Sequence, residues 1–99
     1  MIVGVVRIRL HLDGNHSLKG KRKVIKSILQ QVSARFNCAA SEVDLHDVWQ
    51  SAEIGIATVG NDGPTINSAL DKILDFIERN VQAEVVGSSL EMIYLGKEA

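Results

Sequence analysis

Strand, helix, strand, strand, helix, strand: periodicity gives this order over a chain of 99 residues. It predicts an α+β domain of the ferredoxin-like βαββαβ class, a four-stranded antiparallel sheet with two helices on one face. Three observations carry the prediction. Ile2 to Leu12 alternates with period two and is rich in β-branched residues. Two segments carry apolar stripes at three- and four-residue steps. The connections are short enough that neighbouring elements must also be neighbours in space.

In the first strand the even positions Ile2, Val6, Ile8, Leu10 and Leu12 are apolar and should face the helices. The odd positions Val3, Val5, Arg7, Arg9 and His11 form a mixed face, apolar at one end and cationic at the other. Asp13-Gly14-Asn15 supplies the turn. Ser17 then reads as the N-cap of the first helix, since its hydroxyl can accept from a backbone N–H that has no partner inside the helix. Ile25, Ile28, Leu29, Val32 and Phe36 form that helix's stripe, and Asn37 is expected to end it as a left-handed cap. Ala39 to Leu45 and Ala52 to Val59 read as the second and third strands, joined by the polar loop His46-Asp47-Val48-Trp49-Gln50-Ser51. Pro64 suits the first turn of the second helix, whose stripe is Ile66, Ala69, Leu70, Ile73 and Ile77. A last strand runs from about Glu84 to Leu95. Residues 1–96 are expected to be one domain and 97–99 a loose tail.

Composition narrows the function. The net charge of −1 conceals an asymmetry, with 8 Lys and Arg against 4 Asp and Glu in residues 1–50, and 3 against 8 in residues 51–99. A general nucleic-acid coat is disfavoured, while a local basic patch is not. The single cysteine, Cys38, excludes an internal disulfide and suits a reducing cytosol as a small core residue. No apolar run approaches the length of a membrane span, and Met1 to Val6 lacks the layout of a signal peptide. The expectation is a cytoplasmic protein without membrane, metal or cofactor.

The most informative stretch is Ser17-Leu18-Lys19-Gly20-Lys21-Arg22-Lys23. Five of the eleven Lys and Arg residues fall between Lys19 and Lys26. A helix start carries partial positive charge and prefers acids, yet none is present, so each cation costs roughly 0.3–1 kcal/mol unless an anion sits nearby. Gly20 costs about 0.5–1 kcal/mol relative to Ala within a helix, and offers in return a close approach to the backbone. A phosphate fits both facts; a solvated basic face is the alternative.

The expected topology brings the first turn and the loop between the second and third strands to one end of the sheet. The candidate anion- or RNA-binding residues are therefore His16, Ser17, Lys19, Gly20, Lys21, Arg22, Lys23 and Lys26, with His46, Trp49 and Gln50 from the loop. Trp49 could stack on a base, a contact worth about 1–3 kcal/mol, or lid the end of the core. His16, His46 and Asp47 lack metal-ligand spacing, and Ser17 is already used as a cap, so neither a metal site nor nucleophilic catalysis is expected. No phosphate-binding loop of the G-x-x-x-x-G-K-[ST] type occurs, and no G-x-G-x-x-G. The glycine-rich phosphate loop of acylphosphatases is replaced by Asp13-Gly14-Asn15-His16-Ser17. Residues 2–12 and 52–59 hold no aromatic residue on which an RNA-recognition-motif domain could stack bases.

Met1-Ile2-Val3-Gly4, His16-Ser17-Leu18-Lys19-Gly20-Lys21-Arg22, Ala34-Arg35-Phe36-Asn37, and Glu42-Val43-Asp44 with Asp47-Val48-Trp49-Gln50 together resemble the YlxP-like family of small bacterial proteins. The resemblance spans nearly the whole chain. It implies a ferredoxin-like fold and, for many members, a gene position beside translation-initiation and ribosome-maturation factors. It implies no reaction, because the family's function is uncharacterised. Members often have an acidic residue after Ser-Leu-Lys; Gly20 here makes the helix start more positive.

The reading that follows is a non-enzymatic binding module for structured RNA or the ribosome. The alternative is a homodimeric interaction module that uses the open sheet face through Val3, Val5, Arg7 and Arg9, where an apolar patch would invite association.

Overall fold

A computed structural model describes residues 1–80 and 82–96, so the expected tail at 97–99 lies outside the described residues. The elements are β1 (Ile2–His11), α1 (Leu18–Arg35), β2 (Ala39–Asp44), β3 (Ser51–Gly60), α2 (Gly63–Glu78) and β4 (Glu84–Tyr94). The sheet order is β2-β3-β1-β4 and every pairing is antiparallel. This is the ferredoxin-like arrangement, with long β1 and β3 at the centre and β2 and β4 at the edges.

The alternation of β1 sorts as expected. Ile2, Val6, Ile8, Leu10 and Leu12 are buried, together with Ala52, Ile54 and Ile56 of β3, and both helices close over them. α1 contributes Ile25, Ile28 and Val32, and α2 contributes Ile66, Leu70, Ile73 and Ile77. Cys38 packs at the edge of this core, where burial pushes its thiol up. At the far end of the helices the rings of Phe36 and Phe76 meet edge to face, with the Arg35 guanidinium 4.7 Å from the Phe76 ring centre. Gly4 makes room for side chains of α2: a Cβ there would stand 2.8 Å from Leu70 Cδ1 and would also overlap Ile66.

Two local expectations change. Asn37 is not a left-handed cap. α1 ends at Phe36 in extended backbone, whose N–H donates to the Val32 carbonyl, and Leu45 is the one non-glycine residue with positive φ among the described residues, at 63°. A leucine in that region costs about 1–2 kcal/mol, and it ends β2 at Asp44. Asp62 caps α2, accepting from the Thr65 N–H at 3.0 Å, with Pro64 in the first turn as anticipated.

Gly4→Ala tests the close approach of α2. Overpacking against Ile66 and Leu70 should lower the unfolding free energy by about 1–3 kcal/mol, read by urea denaturation.

Candidate functional site: one end of the sheet and its open face

The turn after β1 and the β2–β3 loop do meet at one end of the sheet. Leu12 N–H donates to the Gln50 carbonyl at 2.8 Å. Asn15 ties the two segments further: its amide donates to the Ser17 carbonyl at 2.8 Å and to the Trp49 carbonyl. Ser17 caps α1 as expected, its hydroxyl accepting from Gly20 N–H at 2.9 Å. Gly20 has a different purpose from the one expected of it. A Cβ at residue 20 would overlap Asn15 Oδ1 and stand 3.1 Å from Ser17 Oγ. The close approach that glycine permits is made by the chain's own asparagine.

Lys21 is the largest correction. Expected as a phosphate ligand, it is fully buried. Its Nζ donates to the carbonyls of Leu45 (2.6 Å), His46 (3.2 Å) and Ser51 (3.3 Å), and lies 3.0 Å from Glu42 Oε2. An ammonium has three protons, and three carbonyls use them. Glu42 Oε2, buried and without a hydrogen bond, therefore supplies the compensating charge. Burying a cation is unfavourable unless it is paired and hydrogen-bonded, and here both conditions are met inside a loop that also holds Leu45 at positive φ.

The remaining candidates stay at the surface. Lys19, Arg22, Lys23, Lys26, His16, His46, Trp49 and Gln50 are exposed, Trp49 by 45%. At 3.6 residues per turn, Lys19, Lys23 and Lys26 share the outward face of α1 opposite Lys21, Ile25 and Ile28. Arg22 stands at its flank and, with Lys26, rims a groove floored by Ile25 and Leu29 beside β2. No acid sits in the first turn of α1. The His16 and Trp49 rings meet edge on, centroids 6.4 Å apart. Among the described residues no three of His, Cys, Asp and Glu come together as a metal site, and no helix is long and apolar enough to cross a membrane.

Val3, Val5, Arg7 and Arg9 occupy the open face of the sheet. Sequence reasoning missed Glu53, which lies among them with only 4% of its surface exposed. Its carboxylate accepts from Arg7 Nε at 3.0 Å and from Arg9 Nη2 at 3.1 Å. The hydrogen bonds from Arg7 chiefly, then from Arg9, hold the Glu53 carboxyl below its ordinary value. One signal was available: an acid inside an apolar strand needs a cation opposite, and the register sets Arg9 against Glu53. Beside this cluster the face is a shallow trough of small residues, Gly55 and Ala57, walled by Val5 and Val43. A Cβ on Gly55 would come within 2.9 Å of Val43.

Residues 3–90 match the family described as a protein of unknown function, DUF503. The chain belongs to the DUF503 family. Among its relatives is the uncharacterized protein YlxP of Bacillus subtilis (strain 168), 40% identical over 62 residues, or 63% of this chain and 67% of the relative. For this DUF503 chain the match spans both the cationic start of α1 and the Trp49 loop, so the two halves of the site lie within the family region.

Two outcomes follow. Lys21→Ala should cost about 3–5 kcal/mol, because it leaves Glu42 and three loop carbonyls without their cation; Lys21→Met with Glu42→Gln should recover part of that loss in denaturant unfolding. For Glu53, a folded value below the unfolded one means that its contribution is fully present above the unfolded value and is lost as pH falls through the folded value. The thermal midpoint should therefore drop in acid, and Glu53→Gln should flatten that part of the pH profile.

Proposed function

We propose that the protein is a non-enzymatic RNA-binding module, associated with structured RNA such as that of the ribosome. The observation that carries the reading is the juxtaposition, at one end of the sheet, of an exposed aromatic pair, His16 and Trp49, with a helix start that bears cations and no acid. Phosphate contacts give affinity without base specificity, and Lys19, Arg22, Lys23 and Lys26 can provide them from α1. Trp49 offers a face for an unpaired base. Lys21 has no part in contact; it holds the loop that carries Trp49 in place. The gene position implied by the family resemblance, beside translation factors, agrees with an RNA partner. A binding role is favoured over catalysis because the hydroxyl beside His16, that of Ser17, is engaged in capping α1.

The test is the intrinsic fluorescence of Trp49 during titration with a short structured RNA at about 50 and about 200 mM salt. Because Trp49 is exposed, binding at this end should change its emission, and affinity should fall steeply with salt. Reversal of Lys19, Lys23 and Lys26 to Glu should weaken binding at least about tenfold and lower the salt slope by about one per lost phosphate contact. A wild-type protein that leaves RNA and purified ribosomes unbound at the lower salt would remove the proposal.

A further inference from the structure

The molecule treats its two sheet edges differently. β2 has six residues, a bulge between Glu42 and Asp44, and acids at both of those positions, devices that discourage pairing with another chain. β4 has eleven residues and contains no Lys, Arg or Pro; its bulge lies near its start, between Val85 and Gly87, and from Gly87 to Tyr94 it runs regularly with a single charge, Glu91. Of ten exposed large apolar side chains among the described residues, five belong to β4 or the residue after it: Val86, Leu90, Ile93, Tyr94 and Leu95. A long, regular edge with exposed apolar side chains is a template for another strand.

The backbone shows which groups that edge offers. Met1 and Leu95 exchange reciprocal hydrogen bonds of 2.9 and 2.8 Å. In the same register Val3 stands opposite Ile93, Val5 opposite Glu91 and Arg7 opposite Ser89. Bonded pairs alternate along an antiparallel ladder, so these odd residues spend their N–H and C=O groups on β1. Ser88, Leu90, Met92 and Tyr94 turn theirs to the free edge.

We propose that this edge pairs with β4 of a second copy, antiparallel about a two-fold axis at Leu90, to form one continuous eight-stranded sheet. A two-fold that keeps the helices of both copies on one side requires residues of equal parity to stand opposite each other. A centre at Glu91 sets two carboxylates together, which is destabilising. A centre at Leu90 pairs Leu90 with its own copy and Ser88 with Met92 twice, which satisfies the outward groups of all three residues. It also makes the open face self-complementary. Glu91 of the second copy falls opposite Ser89, so Arg7, Ser89 and that glutamate form a row. Two strand spacings, about 10 Å, then separate backbones whose long side chains can meet above a serine. Ile93 of the second copy falls opposite Gly87, where a Cβ would meet nothing within 4 Å, so the isoleucine has an open seat. Every contact off the axis occurs twice by symmetry, and this reciprocity selects a second copy over an unrelated strand. The RNA reading does not depend on it.

Sedimentation of the wild-type protein at about 10 to 100 µM should show a dimer. Leu90→Pro removes an N–H that faces outward and leaves the ladder to β1 intact; it should lower the dimer association constant at least about tenfold with unchanged circular dichroism. In a Cys38→Ser background, Leu90→Cys should oxidise to a covalent dimer, since a bonded antiparallel pair sets Cα atoms about 5.5 Å apart, within disulfide range. Val59→Cys, on the open face, should form no covalent dimer on reducing-agent removal. A monomeric wild type overturns the proposal, as does a dimer that survives Leu90→Pro and cross-links through Val59.

Discussion

The buried ammonium of Lys21 is the interaction on which the candidate site depends. Its three donors reach carbonyls on both sides of the β2–β3 loop, Leu45 and His46 before Trp49 and Ser51 after it, while Glu42 on β2 balances its charge. A cation taken out of water demands partners in fixed positions, so the loop acquires one conformation. The same contact joins the first turns of α1 to the edge of the sheet, and it faces the one leucine held at positive φ. Asn15 adds a second tie from the turn after β1. The exposed Trp49 is thus carried on a loop anchored at both of its ends.

Position in the fold gives the cations of this chain three different roles. Lys21 is structural and sealed. Arg7 and Arg9 are half-exposed but share the Glu53 carboxylate, so their charge is partly used within the open face. Lys19, Arg22, Lys23 and Lys26 are exposed on α1 with no acid in its first turn, and on the proposed reading they are the charges that meet a polyanion. The small residues of the open face and the regular length of β4 are separate surfaces with separate chemistry. One small domain can therefore carry an anion-binding end and an associating edge without either occupying the other.

Much of this was legible. Period-two and period-3.6 patterns located all six elements, and capping rules located Ser17 and Pro64. The burial of Lys21 was also legible in principle, because Lys21, Ile25, Ile28 and Val32 fall in phase on a single helical stripe; charge type alone argued for the surface and misled. Glu53 was missed, although an acid in an apolar strand is a visible signal, and its partners depended on register. Gly20 and Asn37 were misread because each was assigned a role by residue type, whereas neighbours distant in sequence decided what they do.

What the sequence by itself determined is the architecture and the clustering of charge: hydrophobic period follows from backbone geometry, which is local, and short connections leave few ways to join the elements. Only the tertiary structure decided which lysine is inside, which glycine makes room for a neighbour, which arginines share a carboxylate and which sheet edge is left open. Those outcomes rest on contacts between segments far apart in the chain, such as Lys21 with Ser51 and Arg7 with Glu53, and no local pattern encodes the register that brings them together.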